Sequence, residues 1–168
     1  MKQRLEHKGK YADDIQITDN KVYENAYTGI SIGGYDQKRG GTSHSVIAHN
    51  IIYRNDTKGL DGGQLLLQYD TKNNTIEKNI ITASDSRIFI ANDFTKNEGN
   101  KVNHNVYHKE SGKDGLWIWK QNEYDSFSPY QNATNQDQDS IYADPMYRDE
   151  SSHDFTLDPD SPAWSVIE

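Results

Sequence analysis

A six-residue phrase occurs four times in this chain and constrains its fold more than any other feature. The copies span residues 17–22, 47–52, 76–81 and 102–107, and each has an asparagine in its fourth position. An apolar residue stands three positions before that asparagine, and another stands two positions after it. The asparagines are separated by 30, 29 and 26 residues. A period of this size is typical of stacked repeats.

The repeated asparagine predicts a bend between two short strands. Its short amide tolerates the left-handed backbone conformation and forms local hydrogen bonds, so we expect the asparagine itself to adopt that conformation. Stacked copies would lie about 4.8 Å apart, close enough for their amides to pair along the stack. The members of this predicted ladder are Asn20, Asn50, Asn79 and Asn105.

A third short apolar strand accompanies every copy of the phrase. These strands contain the pairs Ile30/Ile32, Leu65/Leu67, Ile88/Ile90 and Leu116/Ile118. One repeat therefore carries three strands, which is the composition of a solenoid coil. A β-sandwich is the alternative, but sandwiches rarely repeat one phrase at so regular a spacing.

The end of the chain has its own motif, which begins Ala143-Asp-Pro, continues with Asp154-Phe-Thr-Leu and ends Ser161-Pro-Ala163. With the repeats, it resembles the right-handed parallel β-helix proteins of the pectate-lyase-like superfamily, over about residues 15–163. The resemblance implies an all-β, single-stranded parallel β-helix of about four coils with a C-terminal cap. We expect a polar lead-in at 1–14, coils at 15–120 and a capping segment at 121–168.

Net charge and composition limit the classes of ligand and the kinds of site that the chain can have. The 168 residues carry a net charge of −8, which argues against a nucleic-acid or anionic-membrane ligand. The chain has no cysteine, so disulfides and thiolate metal sites are excluded. No apolar run reaches transmembrane length and the first residues are too polar for a signal peptide. The four repeats look like the end of a longer solenoid, so we expect upstream coils. The resemblance implies a secreted, periplasmic or cell-surface location.

Alternation along the third strands predicts an outward face suited to sugars. If the apolar pairs point inward, the neighbouring residues point outward. Aromatic rings can stack on the apolar faces of sugars, and amide or guanidinium groups can bind their hydroxyls. The alternative is that the segment after Ser128 buries the aromatics. The predicted substrate-binding residues are Gln64, Gln68, Arg87, Phe89, Trp117 and Trp119.

Aspartates flank the same strands. A pair of carboxylates can cleave a glycosidic bond, one as general acid and the other as nucleophile or base. The candidates for this pair are Asp61, Asp70, Asp85 and Asp93. A second possibility is a Ca²⁺ site formed by Asp36, Asp70 and Asp93, since Ca²⁺ prefers several oxygen ligands. The alternative for each is a turn aspartate that caps backbone amides.

Three functions follow from these residues and from the resemblance. The leading one is a cofactor-free glycoside hydrolase that cleaves a plant or microbial poly- or oligosaccharide with an aspartate pair. The second is a Ca²⁺-dependent, pectate-type polysaccharide lyase. The third is a non-catalytic β-helix that only binds sugar or serves a structural role.

Overall fold

Parallel strands stack in register along the chain and form a β-solenoid of about four turns. The computed structural model describes residues 10–36, 38–110 and 114–168. The first nine residues of the expected lead-in therefore lie outside the described residues. Ile47 pairs in parallel with Ile17 on one side and with Ile76 on the other, as the repeated phrase predicts.

Each of the first three coils contributes one strand to each of four sheets, one strand more than the sequence predicts. The additional sheet consists of two-residue strands, which the sequence pattern does not distinguish from turns. This sheet 1 contains β1 (Ala12–Asp13), β5 (Thr42–Ser43) and β9 (Thr71–Lys72). Sheet 2 contains β2 (Gln16–Thr18), β6 (Val46–Ala48), β10 (Thr75–Glu77) and β13 (Lys101–Asn103).

The other two sheets have five strands each. Sheet 3 contains β3 (Lys21–Tyr23), β7 (Ile51–Tyr53), β11 (Ile80–Thr82), β14 (Val106–His108) and β17 (Ile141–Tyr142). Sheet 4 contains β4 (Ile30–Ile32), β8 (Leu65–Leu67), β12 (Ile88–Asn92), β15 (Leu116–Trp119) and β16 (Asn122–Tyr124). Only β16 runs antiparallel to its neighbour within these sheets.

The remaining elements follow the fourth coil. Helix α1 spans Phe127–Thr134 and helix α2 spans Trp164–Ile167. Strands β18 (Tyr147–Asp149) and β19 (Asp154–Leu157) form an antiparallel hairpin around a 3-10 turn at Glu150–Ser152. Neither helix in the described part of the chain is long and apolar enough to cross a bilayer.

The interior is formed by inward rows of apolar side chains, one from each coil. Ile47 and Ile76 stack in sheet 2, and Ile52 and Ile81 stack in sheet 3, all of them 1% exposed or less. One inward row per strand is enough to fill the interior. A chain with only 33% hydrophobic residues can therefore form a continuous core.

The predicted asparagine ladder is present at the corner between sheets 2 and 3. The side-chain nitrogen of Asn50 donates to the side-chain oxygen of Asn79 at 2.9 Å, and Asn79 donates to Asn105 at 3.1 Å. The backbone N–H of Asn50 also donates to the Asn79 oxygen, at 3.0 Å. Asn20 makes the same two bonds to Asn50. Each bend therefore satisfies polar backbone groups that lie between strands, where no sheet partner is available.

The expected left-handed conformation is one residue away from its predicted position. The positive φ belongs to the residue before each asparagine, with values of 56° at His49, 55° at Lys78 and 54° at His104. The prediction for the asparagines themselves was wrong. Their side-chain nitrogens donate to backbone carbonyls, and that of Asn79 donates to the carbonyl of Ile47. An asparagine is required here for its two-ended amide and not for its backbone freedom.

Side-chain hydrogen-bond ladders of the same kind occur at two other corners. Asn74 joins Ser45 to Asn100, and Asn55 joins Asn25 to the side chain of Gln64. These asparagines lie outside the repeated phrase, so the phrase does not predict them.

The last coil is closed by a buried carboxylate. Asp137 accepts hydrogen bonds from the hydroxyls of Tyr107 at 2.9 Å and Tyr130 at 3.0 Å. It also accepts from the side chains of Asn105 and Ser140, and thereby ends the main ladder. Burial raises the pKa of Asp137, and its hydrogen bonds oppose that rise.

The ladder predicts different costs for the same substitution at its middle and at its end. Asn79→Val should lower the free energy of unfolding by about 3 kcal/mol, because buried groups of Asn50 and Asn105 lose their partner. Asn20→Val is the matched control and should cost about 1 kcal/mol, because Asn20 is exposed and bonded on one side only. Urea denaturation of both variants measures the two losses. Equal losses would show that stacking is not the source of the cost.

Asp137 predicts a pH-dependent contribution to stability. Its pKa is raised in the folded state, so folding favours the protonated carboxyl. The stabilisation is complete below the unfolded pKa of about 3.9 and is lost as pH rises through the folded pKa. The free energy of unfolding of the wild type, relative to that of Asp137→Asn, should therefore fall as pH increases. Urea titrations across the acidic range measure this difference, and a relative stability that rises with pH would refute the assignment.

Candidate functional site

A cleft lined by two aspartates and two aromatic residues lies where sheet 4 turns back towards sheet 1. It has a volume of about 380 Å³ and opens to solvent beside the ends of β8 and β12. Turns from successive coils form its walls, and Gln121 from the segment after β15 completes it. The lining residues are Tyr69, Asp70, Asp93, Phe94, Thr95, Lys96 and Gln121.

Asn97 holds the two turns of this cleft together. Its side-chain nitrogen donates to the carbonyl of Gln68 at 2.9 Å, and its side-chain oxygen accepts from the N–H of Thr71 at the same distance. The nitrogen also donates to the side chain of Asn92 at 2.9 Å. The turn that carries Tyr69 and Asp70 is thereby fixed to the turn that carries Asp93 and Phe94.

An aromatic pair forms the apolar wall. The rings of Tyr69 and Phe94 lie 3.7 Å apart between centroids, with 32° between their planes. Both side chains are half-buried. Gly34 lies next to this wall, and its backbone N–H donates to the carbonyl of Tyr69 at 2.7 Å.

The carboxylates of Asp70 and Asp93 share the cleft but have unlike surroundings. The Tyr11 hydroxyl donates to Asp70, and the Lys72 ammonium lies 3.2 Å from the same carboxylate. The hydrogen bond from Tyr11 is the main cause that lowers the pKa of Asp70, and Lys72 adds to it while partial burial opposes it. The Asp93 carboxylate is exposed and makes no hydrogen bond or ion pair within residues 10–36, 38–110 and 114–168.

The aromatics predicted for the outer face of sheet 4 lie inside the solenoid. Phe89 and Trp117 are fully buried and Trp119 is 8% exposed, so their assignment to a substrate face was wrong. The register shifts between Ile88 and Ile90, which inserts Phe89 as an extra residue. Ile90 keeps its predicted inward position and pairs with Trp117, so Phe89 and Trp117 both join the main core.

The alternative for the two tryptophans was burial beneath the capping segment. That alternative describes Trp117. Tyr130 of α1 stacks on Trp117 with 5.5 Å between ring centroids, and the Phe89 ring lies 4.8 Å from the Trp117 ring. Gly115 makes room for this packing, because a Cβ there would collide with the Phe89 ring. The wide aromatic rings fill the last coil, where the cap closes the interior.

The three polar residues predicted to bind substrate lie in different places. Gln64 is fully buried, and its side-chain oxygen accepts from the N–H of Asn55 at 2.8 Å, so it is part of a ladder. Arg87 donates from Nε to the carbonyl of Asp114 at 2.6 Å and does not line the cleft. Gln68 is half-buried directly before Tyr69.

The other predicted aspartates are not brought to the cleft. Asp61 is an exposed turn residue with a φ of 61°. Asp85 lines a separate opening with Arg54 and Glu24. Asp36 accepts from the backbone of Lys38 and forms an ion pair with Arg39 at 2.6 Å, which is the turn-capping role considered as its alternative.

The predicted Ca²⁺ site is not assembled. Asp70 and Asp93 line the cleft without Asp36. Over the described residues, no three histidine, aspartate or glutamate side chains are grouped closely enough to hold a metal ion.

Sequence reasoning missed Tyr69, Phe94 and Lys96. A signal for the first two was present, because Tyr69-Asp70 and Asp93-Phe94 follow the third strands of consecutive coils. Both residues lie in turns, whereas the predicted sugar-binding aromatics lie in strands. Tyr11 carries no comparable signal, because its contact with Asp70 spans 59 residues.

Fold and cleft together define a parallel β-solenoid protein with an aromatic, carboxylate-lined cleft at one sheet edge. No family model and no solved structure matches the chain. The chain is 79% identical over 163 residues to the uncharacterized protein YwoF of Bacillus subtilis (strain 168). That alignment covers 97% of this chain and 35% of the relative, so the chain spans about a third of the length of the curated protein it matches.

Proposed function

We propose that this chain is part of a carbohydrate-active β-solenoid protein, and that its cleft binds a sugar and hydrolyses a glycosidic bond. The observation that carries the proposal is that Asp70 and Asp93 line one cavity beside the stacked rings of Tyr69 and Phe94. The resemblance of the repeats and of the terminal motif to carbohydrate-active β-helix proteins supports the same substrate class.

The cleft offers the two kinds of contact that a sugar requires. The half-buried faces of Tyr69 and Phe94 supply an apolar surface for the C–H face of a sugar ring. Thr95 and Gln121 also line the cleft and supply a hydroxyl and an amide that can bind the ring hydroxyls. A cavity of about 380 Å³ lies within the usual size range of small-molecule sites.

The unlike surroundings of the two aspartates support separate roles in hydrolysis. Asp70 is held ionised by Tyr11 and Lys72, which suits the nucleophile or the base. Asp93 is the other carboxylate that lines the cleft, so the proposal assigns it the remaining role, the group that protonates the leaving oxygen. In this reaction the proton of Asp93 passes to the glycosidic oxygen as the bond to the anomeric carbon breaks. The anomeric carbon is then bonded either to Asp70 or to a water oxygen whose proton Asp70 removes.

Sugar binding without hydrolysis is the second candidate. The observation that favours it is the engagement of Asp70 with two side chains, Tyr11 and Lys72, which leaves less of its carboxylate available for a reacting atom. Binding alone would need only the aromatic wall and the polar rim.

The experiment separates binding from turnover on a panel of neutral and acidic oligosaccharides. Release of reducing ends measures hydrolysis, and calorimetric titration measures affinity. Asp70→Asn and Asp93→Asn should each lower turnover at least about 100-fold, because each removes one of the two proton-transfer or nucleophilic groups. Asparagine tolerates the positive φ of 62° at Asp70, so the melting temperature should stay nearly constant.

Phe94→Ala tests the aromatic wall. Loss of a stacking face should weaken binding about five- to tenfold. Tyr27→Ala is the matched control, because Tyr27 is 45% exposed and lies outside the cleft. Equal effects of the two substitutions would refute sugar binding at this cleft. Retained turnover in both aspartate variants would refute the catalytic assignment, and binding with no turnover in the wild type would favour the second candidate.

A further inference from the structure

The strands of the first coil are paired on one side only. Among the described residues, β1, β2, β3 and β4 each have a single neighbour, the corresponding strand of the second coil. The outer edge of this coil therefore carries unpaired backbone N–H and C=O groups from four sheets, which is a surface that another strand can pair with.

The apolar rows are also open at this edge. Val22 continues the row of Ile52 and Ile81, which are fully buried, yet it is only half-buried itself. Ile15, beside β2, is 44% exposed. The first coil thus ends in an apolar surface that matches the cross-section of the core.

The side-chain ladders give this surface a direction. The bonds from one asparagine side chain to the next in the main ladder all donate towards the C-terminal end: Asn20 to Asn50, and Asn50 to Asn79. The ladder of Asn25 and Asn55 runs the same way. At the open edge the side-chain oxygens of Asn20 and Asn25 therefore accept no hydrogen bond from the described part of the chain. These two side-chain oxygens are acceptors that need donors from whatever covers the edge.

The opposite end of the solenoid is closed by the chain itself. Gln136 accepts from the N–H of Val102 at 2.8 Å, and Ser140 accepts from the N–H of Asn105 at 2.8 Å. Strands β16 and β17 cover the last strands of sheets 4 and 3. In the part of the chain that the structure describes, the first coil is thus the end whose strands in all four sheets lack an outer neighbour.

We infer that the edge of the first coil, formed by β1 to β4 with Asn20 and Asn25, binds a further β-solenoid coil of the same polarity. That coil would pair in parallel with β1 to β4 and donate side-chain amides to the oxygens of Asn20 and Asn25. A second copy related by a twofold axis would bring acceptors against acceptors. A second copy in head-to-tail order is blocked, because its C-terminal end is covered by α1 and the residues that follow.

The length of the relative is consistent with such a coil, because about two thirds of that protein lies outside the region aligned with this chain. The inference does not depend on the proposed function. It concerns the edge of the first coil and holds whether or not the cleft binds sugar.

Hydrogen–deuterium exchange of this chain and of the full-length Bacillus subtilis relative tests the inference. Peptides that cover residues 12–32 should exchange at least tenfold more slowly in the relative, because the first coil is then covered. Peptides that cover 75–92 are the internal control and should exchange alike in both proteins, since the third coil is already paired on both sides. Equal exchange of residues 12–32 in the two proteins would overturn the inference.

Sedimentation of this chain alone tests the choice of occupant. The chain should remain a monomer as its concentration is raised, because the side-chain oxygens of Asn20 and Asn25 in two such edges do not match. A dimer in which residues 12–32 become protected from exchange would show that the edge binds a second copy, and the assignment to a solenoid coil would be wrong.

Discussion

The hydrogen bonds between stacked asparagine amides are the interaction on which the rest of the structure depends. A solenoid corner leaves backbone groups between two strands without a sheet partner, and burying them unpaired would cost about 1–3 kcal/mol each. Asn50 shows the solution: its side-chain oxygen accepts from the backbone and side chain of Asn20, and its nitrogen donates to Asn79. One side chain thereby replaces water at each corner, and the coils stay in register.

The same use of an amide positions the candidate site. Asn97 bonds to one turn through its oxygen and to both turns through its nitrogen, so the turns that carry Asp70 and Asp93 cannot move independently. The cleft is a by-product of coil stacking, and its residues come from turns whose length varies between coils. The residues that line the cleft can therefore change without disturbing the buried rows of sheets 2 and 3.

The sequence predicts the fold well because its signal is periodic. The phrase around Asn79 defines strand, bend and register at once, and the parallel pairing of Ile47 with Ile76 follows from it. The site is predicted less well because its determinants are not periodic. One inserted residue at Phe89 breaks the alternation of β12, and nothing local in the sequence marks that bulge. The placement of Asp70 and Asp93 in one cleft follows from coil stacking, whereas the contact of Tyr11 with Asp70 depends on the path of a non-repeating segment.

The closed and open ends of the solenoid differ in chemistry as well as in coverage. Asp137, Ser140 and Gln136 supply acceptors to the last coil, which is the end where the ladders run out of them. The first coil needs donors instead. A directional ladder therefore requires a different closing group at each end.

Exchange of asparagine side-chain amide protons, followed by NMR in D₂O, tests the central role of the ladder most directly. The side-chain amides of Asn50 and Asn79 are fully buried and bonded to neighbouring coils, whereas Asn132 is exposed on α1. The account predicts that the protons of Asn50 and Asn79 exchange at least about 100-fold more slowly than those of Asn132. Comparable exchange rates at the three residues would contradict it.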